Sequence, residues 1–129
     1  MRYLVDSFAW MEYFMGTARG RRVRELVEEV TAECLVSAIN IAEIYSKSIK
    51  TDGIARAEER RLFITSRCAI VEVDERMAVE AAKIDVEMKE KVKGWGLADS
   101  IVLATARNSD ALILTGDEHF KGLTNVELL

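Results

Sequence analysis

Short apolar runs alternate along the chain with longer segments in which apolar residues recur every three or four positions. The short runs are rich in Val, Leu and Ile, a composition that predicts buried β-strands. They cover residues 2–5, 33–37, 69–73 and 111–114, and residues 124–128 form a candidate edge strand. The chain therefore carries four predicted core strands, each followed by a segment of different periodicity.

The longer segments show the period of amphipathic helices. They cover residues 7–15, 20–30, 38–50, 54–66, 75–92 and 97–108, with a break at Gly53. Strands that alternate with helices predict an α/β fold, in which a central parallel sheet is covered by helices on both faces. Because 129 residues suffice for a single core, we expect one domain spanning residues 1–129.

A carboxylate stands at or near the polar end of four apolar runs. Asp6 follows the first strand and Asp117 follows the fourth, whereas Glu43 and Asp99 lie in the first turns of their helices. Chemistry in parallel sheets gathers at the carboxyl ends of the strands, so we expect these four side chains to meet at one edge. Desolvating clustered carboxylates is costly unless a hard cation lies among them, and the pattern thus indicates a metal-dependent hydrolase.

Each acid also has a simpler interpretation when it is considered alone. Asp6 is a plausible N-cap, and Asp99 could stabilise a helix N-terminus through the helix dipole. Glu43 could be an exposed helix residue, and Asp117 a turn former after Gly116. Four such coincidences at one sheet edge are much less probable than any single one.

Composition and charge limit the class of partner. The net charge of −4 and the pI of about 5.1 argue against a broad basic surface that grips nucleic acid. Two local basic groups, residues 19–24 and Arg60, Arg61 and Arg67, indicate either a short phosphate-tracking surface or solvated helix faces. Cys34 and Cys68 lack metal-binding spacing, and we interpret both as small core hydrophobes.

No apolar run approaches the roughly 20 residues that a membrane-spanning helix needs, and the N-terminus shows no secretory pattern. The expected location is therefore cytoplasmic, without membrane association.

The four acidic segments, residues 4–7, 37–43, 97–106 and 114–120, resemble the successive motifs of PIN-domain ribonucleases, and most closely those of VapC-type toxins. The likeness covers essentially the whole chain and lies in the order, spacing and surroundings of the motifs. Asp6, Glu43 and Asp99 match the three most characteristic acids of the family, and Asp117 matches the fourth. Ser7 and Thr115 match its hydroxyl positions and are supporting candidates.

The resemblance implies a three-layer α/β/α domain and one or two Mg²⁺ or Mn²⁺ ions held by Asp6, Glu43, Asp99 and Asp117. It also implies hydrolysis of single-stranded or loop RNA, a homodimer, and silencing by a cognate VapB-like antitoxin of a toxin-antitoxin pair. Aromatic residues on the predicted helices could support such partner surfaces or form an internal core: Phe8, Trp10, Tyr13, Phe14 and Tyr45.

Two further residues near the acids have open roles. Trp95, between two glycines, could stack on RNA at the rim of the site or pack in the core. His119 follows Asp117 closely, but we interpret it as a loop hydrogen-bonder and leave it outside the catalytic set.

Three other classes of protein are alternatives to a PIN-domain ribonuclease. A response-regulator receiver needs paired acids after its first strand, and a haloacid-dehalogenase-type phosphatase needs Asp at position 8, where this chain has Phe8. The remaining alternative is a catalytically weak RNA-binding or partner-binding module of the PIN fold. Retention of all four acids argues against that alternative.

Overall fold

The computed structural model describes residues 1–29 and 31–129, so the predicted helical position Val30 lies outside the described residues. Two short 3₁₀ helices, Ala18–Gly20 and Glu118–Phe120, accompany the main elements. The strands are β1 (Arg2–Val5), β2 (Glu33–Ser37), β3 (Ala69–Val71), β4 (Leu112–Thr115) and β5 (Val126–Leu128). The helices are α1 (Ser7–Phe14), α2 (Arg21–Glu28), α3 (Ala38–Asp52), α4 (Ile54–Arg67), α5 (Glu75–Lys91) and α6 (Leu97–Asn108).

The strands form one parallel sheet in the order β3-β2-β1-β4-β5. Strand order reverses between the neighbours β1 and β4, because the chain passes from β1 to β2 on one side and later returns to β4 on the other. In open parallel sheets, a crevice at the carboxyl ends of the strands marks such a switch point. This topology directs Asp6 and Asp117 to the same edge.

Successive residues of β1 supply opposite faces of the sheet, as the two-residue period of a strand requires. Leu4 packs with buried residues of α5 and α6, whereas Tyr3 and Val5 pack with those of α1 to α4. All three side chains are buried. Two hydrophobic cores thus sandwich the sheet, and the predicted three-layer α/β/α arrangement is confirmed.

Most predicted element bounds agree with the structure within one or two residues. The predictions of strands 2–5 and 33–37 and of helix 97–108 match fully, and Gly53, with φ of 89°, separates α3 from α4. Both edge strands are shorter than predicted, since β3 ends at Val71 and β5 begins at Val126. None of the helices in the described residues is long and apolar enough to span a membrane.

The interpretation of Cys34 and Cys68 as separate core hydrophobes is wrong in one respect: the two form a disulfide. Both lie in or against the core on the α1–α4 side of the sheet, as expected. The pairing follows from strand register, because Leu35 of β2 lies opposite Ala69 of β3 and the preceding residues are therefore neighbours. A sequence separation of 34 residues carries no sign of this proximity. The disulfide ties the end of α4 to β2.

Candidate active site

Four acids from four separate elements line one cleft of about 240 Å³ at the carboxyl edge of the sheet. Asp6 follows β1, Glu43 lies on α3, Asp99 lies in the first turn of α6, and Asp117 follows β4. Phe8, Met11 and Lys47 complete the cleft wall together with Ser7. The structure therefore brings together the acids that the sequence predicts, while their chemical roles stay a prediction.

Asp6 is the buried member of this acidic cluster, with a relative exposure of 5%. Asn40 Nδ2 donates to its Oδ1 at 2.9 Å, and the Thr115 hydroxyl donates to its Oδ2 at 2.8 Å. Asp6 occupies the N-cap position of α1 as expected, but within the described residues its side chain makes no capping hydrogen bond. Its two hydrogen-bond donors instead fix the orientation of the carboxylate at the floor of the cleft.

Burial is the main reason that the Asp6 carboxyl retains its proton more strongly than an exposed one. It raises the pKa of Asp6 from 3.8 to about 6; the Thr115 hydrogen bond opposes the shift, and the charges of Glu43 and Asp117 add to it. The pKa of Glu43 is also raised, first by loss of water around its carboxylate and then by repulsion from Asp99 and Asp117. Without a cation, the cluster therefore disfavours full ionisation at neutral pH.

This shift predicts an unusual pH dependence of stability. Because the folded-state pKa of Asp6 lies above the unfolded value, the folded protein binds more protons between about pH 4 and pH 6. The free energy of unfolding of the wild type relative to Asp6→Asn should fall by about 3 kcal/mol from about pH 3 to pH 7, and then level off. Urea unfolding of both proteins in EDTA at a series of pH values measures this difference in the free energy of unfolding. A difference that does not change with pH would contradict the raised pKa of Asp6.

Glu43 is exposed at the cleft mouth, but neighbouring side chains hold its carboxylate. The Ser7 hydroxyl donates to Glu43 Oε1 at 3.0 Å, and Asn40 Nδ2 approaches the same oxygen at 3.5 Å. Ser7 thus lies beside Glu43 and Thr115 lies beside Asp6, while the supporting roles of the two hydroxyls stay a prediction.

Asn40 is a site residue that the sequence analysis missed. Its fully buried side chain bridges Asp6 and Glu43, while its Oδ1 accepts from the backbone N–H of Ser37 in a capping box at the start of α3. The available signal was its position three residues before Glu43, which places both on one helix face.

Asp99 and Asp117 combine the structural roles considered for them with a place in the cleft. Asp99 Oδ2 accepts from the backbone N–H of Gly96 at 3.0 Å, and Asp117 Oδ1 accepts from that of His119 at 2.9 Å. The helix-terminal and turn-forming interpretations are therefore correct for these two acids, but they do not exclude a site role, because both also line the cleft.

His119 lies beside two of the cleft acids, and the hydrogen bond it makes agrees with its predicted role as a hydrogen-bonder, while its place outside the catalytic set stays a prediction. Its Nδ1 lies 3.0 Å from Asp99 Oδ2 and 3.6 Å from Asp117 Oδ1. One ligand atom from each of these three residues falls within 4.8 Å of the others. The 3₁₀ turn after β4 folds the ring back over the first turn of α6, a contact that spacing alone does not predict.

Trp95 does not form a stacking surface at the rim. Its side chain is 3% exposed, packs against Phe120 with ring centroids 5.3 Å apart, and donates from Nε1 to the Ser100 hydroxyl at 2.7 Å. The core interpretation is therefore correct for Trp95, as it is for the fully buried Trp10.

The two basic groups are used largely within the fold. Arg60 is buried, donates to Ser48 and pairs with Asp52, while Arg22 pairs with Glu127 at the β5 edge. Arg19 differs, because it lies over the Phe8 ring and reaches toward the carbonyl oxygen of Gly116, next to the cleft. Arg19 thus lies next to the cleft, and Lys47 lies in its wall.

The donor set fits a hard divalent cation. Four carboxylates face one lysine ammonium in the cleft, so the lining residues carry an excess of negative charge when they are ionised. Oxygen-rich ligand sets of this kind suit Mg²⁺ or Mn²⁺. The size of the cleft is not what identifies it as the candidate metal site. A larger cleft of about 530 Å³ lies at the opposite edge of the sheet, but among the described residues the acids that line it are only Glu33 and Asp110, together with Arg2.

Comparison of the sequence with known families now assigns the class. A sequence model of the PIN domain matches residues 3–125, and the chain belongs to the PIN domain family. Comparison with curated protein sequences gives no match.

Solved structures similar to this chain include VapC toxins and VapBC complexes. The sarcin-ricin loop cleaving toxin VapC20 of Mycobacterium tuberculosis has a TM-score of 0.81 at 17% identity, covering 98% of each chain. VapBC2 of Rickettsia felis, bound to a promoter DNA fragment, has a TM-score of 0.76 at 17% identity, covering 100% of this chain and 98% of that one. A toxin-antitoxin complex of Klebsiella pneumoniae has a TM-score of 0.75 at 22% identity, covering 97% and 95%. At these identities the likeness shows the shared fold.

Proposed function

We propose that this protein is a metal-dependent endoribonuclease, the VapC-type toxin of a toxin-antitoxin pair, formed by one PIN domain over residues 1–129. The observation that carries the proposal is the convergence of Asp6, Glu43, Asp99 and Asp117 from four elements on one cleft. Family membership supports it, as does the similarity of the fold to that of a toxin that cleaves the sarcin-ricin loop.

Asp6, Asp99 and Asp117 would hold Mg²⁺ or Mn²⁺ directly, with Glu43 ligating through water or acting as base. A bound ion would supply charge neutralisation at the phosphate and a lower pKa for the attacking water. Asn40 and Thr115 keep the Asp6 oxygens oriented, and Ser7 restrains Glu43. The raised pKa of Glu43 suits a carboxylate that would take the proton of the attacking water, while the bond from phosphorus to the leaving sugar oxygen breaks and that oxygen takes a proton from solvent.

Lys47 and Arg19 would contact phosphate groups on either side of the acids. Lys47 lies one helical turn after Glu43 and lines the cleft, whereas Arg19 is held near Gly116 by the Phe8 ring. Two such cations would offset the repulsion between an acidic cleft and a polyanion. We propose RNA as the substrate; DNA is a competing outcome in the assay below.

Cleavage assays on defined pools test the activity. We expect the purified chain to cut a structured RNA pool with Mg²⁺ or Mn²⁺, and EDTA to abolish cleavage. Asp99→Asn should lower the rate by about a thousand-fold or more, because it removes a candidate metal ligand.

Asp110→Asn is a matched control, since Asp110 is an exposed aspartate at the opposite sheet edge, with a φ of 50° that asparagine tolerates. Retention of RNA without cleavage under any condition would favour a binding module. Cleavage of a matched DNA pool but not of the RNA pool would show that the substrate is DNA.

A VapB-like antitoxin is the proposed partner, supported by the likeness to VapBC complexes. Of the aromatic residues suggested as partner surfaces, Trp10 is buried, whereas Tyr13 and Phe14 are half-buried and line a surface groove with Phe63. A second groove, on α3, is lined by Tyr45 together with Ile41 and Ile49. We also propose a homodimer, for which sedimentation across micromolar concentrations should give twice the mass of one chain.

We propose a cytoplasmic location, where RNA and an antitoxin would be available. The Cys34–Cys68 disulfide does not favour it, because reducing compartments usually keep cysteines as thiols. Thiol labelling of the protein in intact cells distinguishes the two states, and a fully oxidised pair would count against this location.

A further inference from the structure

His119 is the one histidine in the sequence, and its ring is directed toward two of the cleft acids. The backbone around Gly94 lies on the far side of the ring, where an added Cβ would lie 3.1 Å from His119 Nε2. Nδ1 is thereby presented to Asp99 Oδ2 at 3.0 Å and to Asp117 Oδ1 at 3.6 Å. The ring is therefore held between a glycine and two carboxylates.

These separations match those between ligand atoms that share one divalent ion. With metal–ligand bonds of about 2.1 Å, neighbouring ligands of an octahedral ion are about 3.0 Å apart and opposite ligands are about 4.2 Å apart. The distances from His119 Nδ1 to Asp99 and Asp117, 3.0 Å and 3.6 Å, lie in this range, and one ligand atom from each of the three residues lies within 4.8 Å of the others.

We infer that Nδ1 of His119 is a direct ligand of the divalent ion held by Asp99 and Asp117, and that it makes this site favour Mn²⁺ over Mg²⁺. The inference rests on the proposed metal-dependent function and adds a nitrogen to an otherwise carboxylate ligand set. Mg²⁺ demands oxygen ligands and keeps its waters, whereas Mn²⁺, a first-row transition ion, accepts an imidazole more readily. If His119 is a ligand, the preference for Mn²⁺ over Mg²⁺ is set by a residue outside the four acids.

Pulsed electron paramagnetic resonance on Mn²⁺ bound to the untagged full chain provides a direct test. Because the sequence holds one histidine, any imidazole-nitrogen coupling to the ion must come from His119. We expect this coupling in the wild type, and we expect it to change when histidine alone is labelled with ¹⁵N. This labelling needs no substitution, so it does not depend on the folding of a variant.

Calorimetric titration with each metal tests the selectivity. His119→Gln should weaken Mn²⁺ binding by about ten-fold and Mg²⁺ binding by no more than about two-fold. The matched control Glu118→Gln removes an exposed acid from the same 3₁₀ turn and should change neither affinity.

Mn²⁺ bound to the wild type without nitrogen coupling would overturn the role of His119 while leaving the acidic metal site intact. Equal losses of Mn²⁺ and Mg²⁺ affinity in His119→Gln would overturn the selectivity. Absence of Mn²⁺ and Mg²⁺ binding to the wild type would overturn both this inference and the proposed metal-dependent function.

Discussion

Replacing Asp6 with asparagine is expected to reduce metal-dependent RNA cleavage by about a thousand-fold or more while leaving the fold intact. Asp6 is the most buried of the four acids, and it lies where β1 meets the cleft. Asparagine has the same shape but cannot carry the negative charge that attracts a divalent ion. The loss of activity is therefore expected to come from the missing negative charge and not from a change in the shape of the site.

Hydrogen bonding explains why the fold should survive this substitution. An asparagine Oδ1 can still accept from Asn40, and its amide can donate to the Thr115 hydroxyl oxygen, reversing the present hydrogen bond. That oxygen already accepts from the backbone N–H of Asp117 at 3.0 Å, and a hydroxyl oxygen can accept twice. Asparagine also removes the cost of ionising a buried carboxyl whose pKa is about 6. The variant should therefore be at least as stable as the metal-free wild type at neutral pH.

Two measurements separate these expectations. Cleavage rates in Mg²⁺ or Mn²⁺ report the loss of activity, and urea unfolding in EDTA reports the stability of each protein. Added metal should raise the unfolding midpoint of the wild type but have much less effect on Asp6→Asn, because a ligand that binds only the folded state stabilises it. A folded Asp6→Asn variant with a wild-type cleavage rate would remove Asp6 from the mechanism.

Breaking the Cys34–Cys68 disulfide is expected to cost about 4 kcal/mol of folding stability. The disulfide closes a loop of 34 residues, and the chain-entropy relation for such a loop gives a destabilisation of about that size when the cross-link is absent. For a chain of 129 residues the melting temperature should fall by about 10–15 °C. Its position between β2 and the end of α4 braces the α3–α4 pair, and α3 carries Asn40 and Glu43.

Thermal unfolding with and without a dithiol reductant measures the contribution of the disulfide. The reductant should lower the melting temperature of the wild type but not that of a double variant, Cys34→Ser with Cys68→Ser. The variant controls for effects of the reductant unrelated to the disulfide. Equal melting temperatures for the oxidised and reduced wild type would show that the cross-link contributes little.

The sheet and its helices were predictable because their signals are local. The continuous apolar run of Tyr3, Leu4 and Val5 fits a strand buried on both faces of the sheet. The apolar period of residues 97–108 predicts α6 in full. The four acids were predictable for a related reason: parallel strands point their carboxyl ends the same way, so polar ends of separate runs meet at one edge.

The contacts among these residues were less accessible to sequence reasoning. In the sequence, Asn40 has the features of an ordinary helix residue. Only the packing of α3 beside β1 places its Nδ2 2.9 Å from Asp6 Oδ1. His119 was predicted to be a hydrogen-bonding loop residue, but its partner Asp99, 20 positions earlier, was not predicted. From the sequence, Trp95 was equally compatible with the rim of the site and with the core. Its packing against Phe120 shows that it belongs to the core.

By itself, the sequence determined the fold class, the order of elements and the edge at which the acids gather, because hydrophobic period and strand polarity act over a few residues. Only the tertiary structure decided the Cys34–Cys68 disulfide, the bridge that Asn40 makes between Asp6 and Glu43, and the approach of His119 to Asp99 and Asp117. Each of these contacts joins side chains on different elements. Their distances depend on how strands and helices pack against one another, which no short segment of the chain encodes.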